Sequence, residues 1–282
     1  HMAELPLLII DVQRAGPSTG LPTKVEQSDL SLVLNGRHGD CPVPVVAIRN
    51  PSSAFETTIQ AIEMMIKFQT PIYLLSDAMI ANGSELWEIP NIEPKASHQY
   101  SDMSPYNRSD DTMARPWTEL RQEGINYIAG GLEKDYLTGA ISYEGSNHQK
   151  MVETRFRKIM NMSEHIPLCV LEENSSSKGT LVLSWGSTYG AVKEAFHAIN
   201  KDVNNIAHLH LDWIFPFPKN FQSIINHYDR IIVPELNHGQ FADYLAAHYK
   251  KSIFKINKIQ GTPFFEDELI KSIIDILKLE TT

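Results

Sequence analysis

An α/β fold built on parallel sheets is what this sequence predicts, and three observations carry the prediction. Short β-rich apolar runs alternate with segments of helical period, the pattern of a parallel sheet whose two faces are covered by helices. One stretch reads as a complete strand-helix-strand unit: the runs Val43 to Ile48 and Ile72 to Leu75 enclose Phe55, Ile59, Ile62 and Ile66 at helical spacing. A second unit opens at Leu181 to Trp185, which runs into Gly186-Ser187-Thr188-Tyr189-Gly190 and then a helix with Val192, Ala195, Phe196 and Ile199 on one face.

The elements follow in order. His1-Met2 reads as a cloning remnant outside the fold, and the apolar run Leu5 to Asp11 is the first strand. Ser53 with Glu56 predicts a capping-box start for the first clear helix. From about Pro90 to Gly179 the chain is rich in Ser, Asn, Asp, Pro and Gly, and its clearest helix is Gln149 to Met160. Structureless loops above about 15 residues are uncommon unless functional, so this is a connection with structure of its own. His208 to Leu211 and Arg230 to Val233 are further strands. The last helix spans Phe265 to Leu277, with Leu269, Ile270, Ile273, Ile274 and Leu277 apolar.

Composition narrows the function classes. A length of 282 residues suits two domains or one large one, and 42% hydrophobic with 21% charged residues is globular, not disordered. Lys+Arg 25 against Asp+Glu 34 leaves a net charge of -9, with no basic block able to follow a phosphate backbone. Nucleic acid and anionic membranes are therefore not expected partners. No apolar run approaches the roughly 20 residues of a membrane span, and the N-terminus lacks signal-peptide order, so a cytoplasmic location is expected. Cys41 and Cys169 are too few for a disulfide framework, a cysteine zinc site or a four-cysteine iron–sulfur site.

Chemistry is concentrated after the first strand. Arg14-Ala15-Gly16-Pro17-Ser18-Thr19-Gly20-Leu21-Pro22-Thr23 offers a guanidinium, hydroxyls and glycines where open parallel sheets place ligands, beyond the carboxyl ends of their strands. The guanidinium fork matches a carboxylate, and the hydroxyls and glycine-exposed amides add donors. A purely structural turn rich in breakers is the competing reading. Gln27 and Asp29 either cap a helix or orient this loop. His38, between Gly36-Arg37 and Gly39-Asp40, is a candidate for acid–base work or a hydrogen-bonded turn residue. Gly186 to Gly190 matches neither a dinucleotide nor a Walker loop and reads as helix entry. Glu235-Leu236-Asn237-His238-Gly239-Gln240 is another polar strand end. Glu133, Asp135, Glu144 and His148 match no metal motif and read as a solvated loop, while alternation of His208 and His210 favours packing or an interface.

The run Arg14 to Leu30 with Gly36-Arg37-His38-Gly39-Asp40 resembles the alpha subunit of 2-oxoacid:ferredoxin oxidoreductases, most closely the 2-oxoglutarate branch. The resemblance continues through Leu75-Ser76-Asp77, Gly131-Leu132-Glu133, Gly139, the helix carrying Met151, Val152, Arg155 and Lys158, Phe215-Pro216-Phe217-Pro218 and Glu235 to Gln240, nearly the whole chain. It implies a truncated pyrimidine-type thiamine diphosphate-binding domain at residues 3–90, a connecting segment at 91–178 and a transketolase C-terminal-like domain at 179–282. It also implies oxidative decarboxylation of a 2-oxoacid to an acyl-coenzyme A, with electrons passed to ferredoxin. Arg14 inherits the substrate-carboxylate role with Thr23 as a polar contact, and Ser18, Thr19, Gly20, Gln27, Asp29 and His38 lie near substrate or cofactor. The family's Tyr-Pro-Ile-Thr-Pro motif and pyrimidine glutamate are expected upstream of this sequence. The diphosphate and magnesium motif and the cluster cysteines are expected on a beta subunit, in a homo- and hetero-oligomer. No metal site is expected here, and the chain alone is expected to be inactive. A non-catalytic assembly module that shapes the beta subunit's site is the alternative.

Overall fold

The computed structural model describes residues 1–91, 106–116, 128, 130–173 and 175–278. The strands are β1 (Leu7–Gln13), β2 (Val45–Ala47), β3 (Pro71–Asp77), β4 (Thr180–Trp185), β5 (Ile206–Leu211), β6 (Trp213–Phe215), β7 (Arg230–Glu235) and β8 (Ser252–Asn257). Between them lie helices α1 (Leu30–Asn35), α2 (Ala54–Phe68), α3 (Ala78–Asn82), α4 (Gly145–Asn161), α5 (Tyr189–Ile199), α6 (Phe221–Asn226), α7 (Gln240–His248) and α8 (Glu266–Lys278). The connection expected at 91–178 is thus described only in part, with α4 as its principal element.

Among the described residues, two four-stranded sheets form. The first has the order β1-β3-β2-β6, and the second β5-β4-β7-β8. All neighbours are parallel except β2 and β6, which pair antiparallel. Fully buried Val45, Ala47 and Leu75 of the first sheet share one apolar cluster with Leu181, Leu183, Leu209 and Val233 of the second. Burial of this size is what holds the halves together, at about 25 cal/mol per Å² of apolar surface. The α/β class with parallel sheets is as the sequence predicts.

Three details differ from expectation. β1 lies two residues later than Leu5 to Asp11, because its ladder to β3 runs from Leu7↔Pro71 to Gln13↔Asp77. The capping box sits one turn early: Asn50 and Ser53 cap a short 3-10 turn, Pro51–Ser53, and Ser53 offers α2 no side-chain cap. Pro51 fixes φ for that turn, and the Ser53 hydroxyl is spent on the Asn50 carbonyl at 2.9 Å. Strands β6 and β8 have no counterpart in the sequence reading.

The sheets meet through the carboxyl ends of their strands. The Ser187 hydroxyl donates to the Asp77 carboxylate, joining the turn after β4 to the end of β3. The Ala47 amide donates to the Asp212 carbonyl at 2.8 Å, and Arg49 forms a two-pronged ion pair with Asp212. Arg49 and Asp212 also border a hollow of about 250 Å³.

Candidate functional site

The loop after β1 is built by local hydrogen bonds. The Ala15 amide donates to the Lys24 carbonyl at 3.0 Å, and the Leu21 amide returns to the Ala15 carbonyl at 3.2 Å, closing a tight lap. Gly20 sits at φ +45°, and a Cβ there would collide with the Ala15 carbonyl. Ser18 and Thr23 hold φ of 54° and 64°, left-handed conformations that non-glycine residues adopt only under constraint. That constraint comes from residues 26–28. The Gly16 amide donates to Glu26 Oε2 at 2.9 Å, and the Ser28 hydroxyl donates to the Arg14 carbonyl at 2.9 Å. Arg14 itself is exposed, and its Nη1 donates to the Thr19 carbonyl at 2.6 Å and the Ala15 carbonyl at 3.2 Å.

Facing this loop is the turn after β7. The two border a cleft of about 580 Å³, in the size range of ligand pockets. Asp11, Val12, Arg14, Gly16, Pro17 and Ser18 form one wall; Glu26, Ser28, Asp29, Asn237, His238, Gln240 and Ile259 form the rest. The cleft lies beyond the carboxyl ends of β1, β7 and β8, the position open α/β sheets give their ligands. Burial and the charge of Asp29 push the Asp11 carboxyl above the usual carboxylate range.

Behind the cleft lies a buried polar knot. Glu235, fully buried at the end of β7, accepts from the Phe241 amide at 2.9 Å, the Ala242 amide at 3.0 Å, Asn237 Nδ2 at 3.0 Å and Trp185 Nε1 at 3.2 Å. Burial still raises its carboxyl above the usual range, against the pull of those donors.

The structure brings some predicted residues together and separates others. Arg14, Ser18 and Asp29 line the cleft, while Thr19 supplies a carbonyl to Arg14 and Gly20 makes the turn. Thr23 is exposed and outside the lining. Gln27 is buried behind the loop. His38 is exposed in the turn after α1 and does not line the cleft, because α1 carries the chain away. Asp11, His238 and Ile259 line the cleft without being among the site residues the sequence predicts; His238 lies in the polar strand end at 235–240, the available signal for it.

Outside the cleft, Glu133 is an anchor and not a solvated loop residue. It accepts from Arg155 Nη1 at 3.0 Å and Nη2 at 2.9 Å and pairs with His148 Nδ1 at 2.8 Å. His208 and His210 flank the Ser184 hydroxyl at 2.8 Å each, within the packed interior. Burial holds the His208 imidazole down to about 3 and His210 well below its ordinary value. A smaller hollow of about 250 Å³ lies beside them, lined by Arg49, Cys169, Glu172, Tyr189, His210 and Asp212 among others.

No three His, Cys, Asp or Glu side chains among the described residues stand close enough to hold a metal ion. In the large cleft a diphosphate would meet the carboxylates of Asp11, Glu26 and Asp29. These residues do not fit the diphosphate and magnesium end of thiamine diphosphate. They do offer one guanidinium to one carboxylate.

Residues 1–160 match the family described as "Pyruvate flavodoxin/ferredoxin oxidoreductase, thiamine diP-bdg". The chain is 40% identical over 274 residues to the 2-oxoglutarate oxidoreductase subunit KorA of Mycobacterium tuberculosis, covering 95% of this chain and 42% of that protein. It is 30% identical over 294 residues to the 2-oxoacid:ferredoxin oxidoreductase 1 subunit alpha of Sulfurisphaera tokodaii, covering 98% and 45%. The chain thus spans less than half the length of these two relatives. Among solved structures it is similar to the 2-oxoglutarate:ferredoxin oxidoreductase from Magnetococcus marinus with 2-oxoglutarate, coenzyme A and succinyl-CoA bound. That likeness has a TM-score of 0.84 at 27% identity and covers 98% of this chain and 49% of that one. On the strength of the match to more than half its length, the chain belongs to the pyruvate flavodoxin/ferredoxin oxidoreductase family, and its matched relatives include 2-oxoacid:ferredoxin oxidoreductase alpha subunits.

Proposed function

We propose that this chain forms part of the alpha subunit of a 2-oxoacid:ferredoxin oxidoreductase, with 2-oxoglutarate as the preferred acid. The enzyme converts the acid and coenzyme A to an acyl-coenzyme A and carbon dioxide, and passes the electrons to ferredoxin. The observation that carries the reading is the 40% identity, over nearly the whole chain, to a subunit named for 2-oxoglutarate. In this proposal the magnesium, diphosphate and iron–sulfur groups rest on residues outside those described here, principally on a beta subunit in a hetero-oligomer.

Arg14 is the substrate-side residue. Arg14 is exposed and its present acceptors are carbonyls of its own loop, so a carboxylate can replace them without uncovering a buried charge. A charge-assisted bond of about 1.5 to 3 kcal/mol then holds the acid by its carboxylate and fixes the plane of the adjacent ketone. Decarboxylation removes the charge that Arg14 binds. The contact therefore orients the acid and need not strengthen in the transition state.

Arg14→Ala in the complete complex tests this. The expected result is a KM for 2-oxoglutarate raised about 10- to 100-fold, with subunit assembly intact by size-exclusion chromatography. Lost assembly with normal turnover per assembled complex would instead support the assembly-module reading. Parallel assays with ferredoxin and with a nicotinamide acceptor identify the electron acceptor.

A further inference from the structure

We propose that Gln27 is a positioning residue for the carboxylate-binding arginine, through which the second sheet sets the geometry of a loop that belongs to the first. This rests on the reading of Arg14 above. Gln27 is fully buried, yet none of its four polar groups bonds to its own sheet. Its Nε2 donates to the Trp185 carbonyl at the end of β4 at 2.8 Å, and its Oε1 accepts from the Leu236 amide at 2.9 Å. Its own amide donates to the Leu236 carbonyl at 2.9 Å, and its carbonyl accepts from Asn237 Nδ2 at 2.8 Å. Asn237 is held in turn by Glu235, at 3.0 Å.

The neighbours of Gln27 face the other way. Glu26 takes the Gly16 amide and Ser28 gives its hydroxyl to the Arg14 carbonyl, each at 2.9 Å. Those two bonds grip the backbone on either side of Ala15, the segment from which Arg14 projects. Residues 26–28 thus form a short rail with Gln27 bolted to the second sheet and the arginine loop hung from its two ends. Gln240 adds a further tie, donating to the Ser28 carbonyl at 2.8 Å. The fit at the bolt is close: Gly186 has φ +58°, and a Cβ there would come within 2.9 Å of Gln27 Nε2. A buried amide with every group satisfied specifies one arrangement, because each lost partner leaves another polar group unpaired.

The test compares Arg14→Ala, Gln27→Leu and the double variant in the complete complex, with KM for 2-oxoglutarate and for coenzyme A as readouts. Gln27→Leu keeps bulk and removes both side-chain bonds. It is expected to raise KM for 2-oxoglutarate about tenfold, the size of one weakened charge-assisted bond, and to leave KM for coenzyme A unchanged. In the Arg14→Ala background the same change is expected to add nothing to KM for 2-oxoglutarate, because it acts through the arginine. Gly186→Ala, made on the other side of the contact, should reproduce the Gln27→Leu effect. A Gln27 effect that persists in full without Arg14, or that raises both KM values alike, would reduce Gln27 to a stability role and overturn the proposal. An unchanged KM in Gln27→Leu, with Arg14→Ala impaired, overturns it and leaves the Arg14 reading standing. If Arg14→Ala is itself normal, the reading of the cleft fails first.

Discussion

Glu4 concentrates the charge problem of this fold at one residue. It is buried, with its carboxylate paired to Arg108 at 2.7 Å, to Lys158 at 3.1 Å and to Arg115. Burial alone would raise its pKa, but the three cations hold it down to about 2. Lys158 in the same cluster is also lowered, to about 8, because burial outweighs the pull of Glu4. For a depressed carboxyl the stabilisation is fully present above its ordinary value near 4.5 and is lost as pH falls toward 2. On the order of 3 kcal/mol of stability should therefore disappear across that window, and about 2 kcal/mol of it should be read by thermal or urea unfolding at pH 5 and pH 3. Glu4→Gln should be less stable at pH 7 and show a shallower loss between those two pH values. An unchanged slope in the variant would place the acid sensitivity elsewhere.

At the scale of elements, the second sheet is the more deeply buried. Every residue of β4 is buried, and α5 lays Val192, Ala195, Phe196 and Ile199 against Val182, Ile206 and α8. This is the continuous apolar run expected of a parallel strand covered on both faces. Phe196→Ala should cost about 3 to 5 kcal/mol, since the ring is fully buried and a cavity would remain. Denaturant unfolding measures it, and a loss below about 1 kcal/mol would mean that the site collapses to fill the space. β1 is the contrast. It is the edge of the first sheet, and Leu7, Ile10 and Val12 stand half exposed along it.

For the whole molecule, the decisive feature is that two sheets meet at the carboxyl ends of their strands, with clefts beside the contact. The Asp77 carboxylate is central to that junction. It caps α3 by accepting from the Met79 amide at 3.0 Å and the Ile80 amide at 3.2 Å, and also takes the Ser187 hydroxyl from the other sheet. Burial nonetheless raises its carboxyl above the usual range. Ser187→Ala removes the inter-sheet bond and should cost about 1 to 3 kcal/mol, because a buried carboxylate loses a partner. The same loss in the stability of both halves, followed by hydrogen exchange, would show that they unfold together. Loss confined to one half would show that the halves unfold separately despite the apolar cluster they share.

Much of this was legible in the sequence because period is a local property. The runs at Leu181 to Trp185 and Ile72 to Leu75, and the helical spacing of Phe55 to Ile66, report burial on a lattice that each element carries by itself. The loop from Arg14 to Thr23 was legible for the same reason, since breakers and donors cluster there in order. What stayed hidden depends on partners far along the chain. β6 has three residues and exists because Val45 and Val46 of β2 pair with it across more than 160 positions. Gln27 is unremarkable among polar neighbours until β4 and β7 bring Trp185 and Leu236 to it, and His38 stands apart from Arg14 only because α1 intervenes. Sequence alone determined the α/β class, the principal strands and the chemistry of the loop. Only the tertiary structure decided which side chains share the cleft, because hydrogen bonds between strand ends depend on distance in space and not on spacing in the chain.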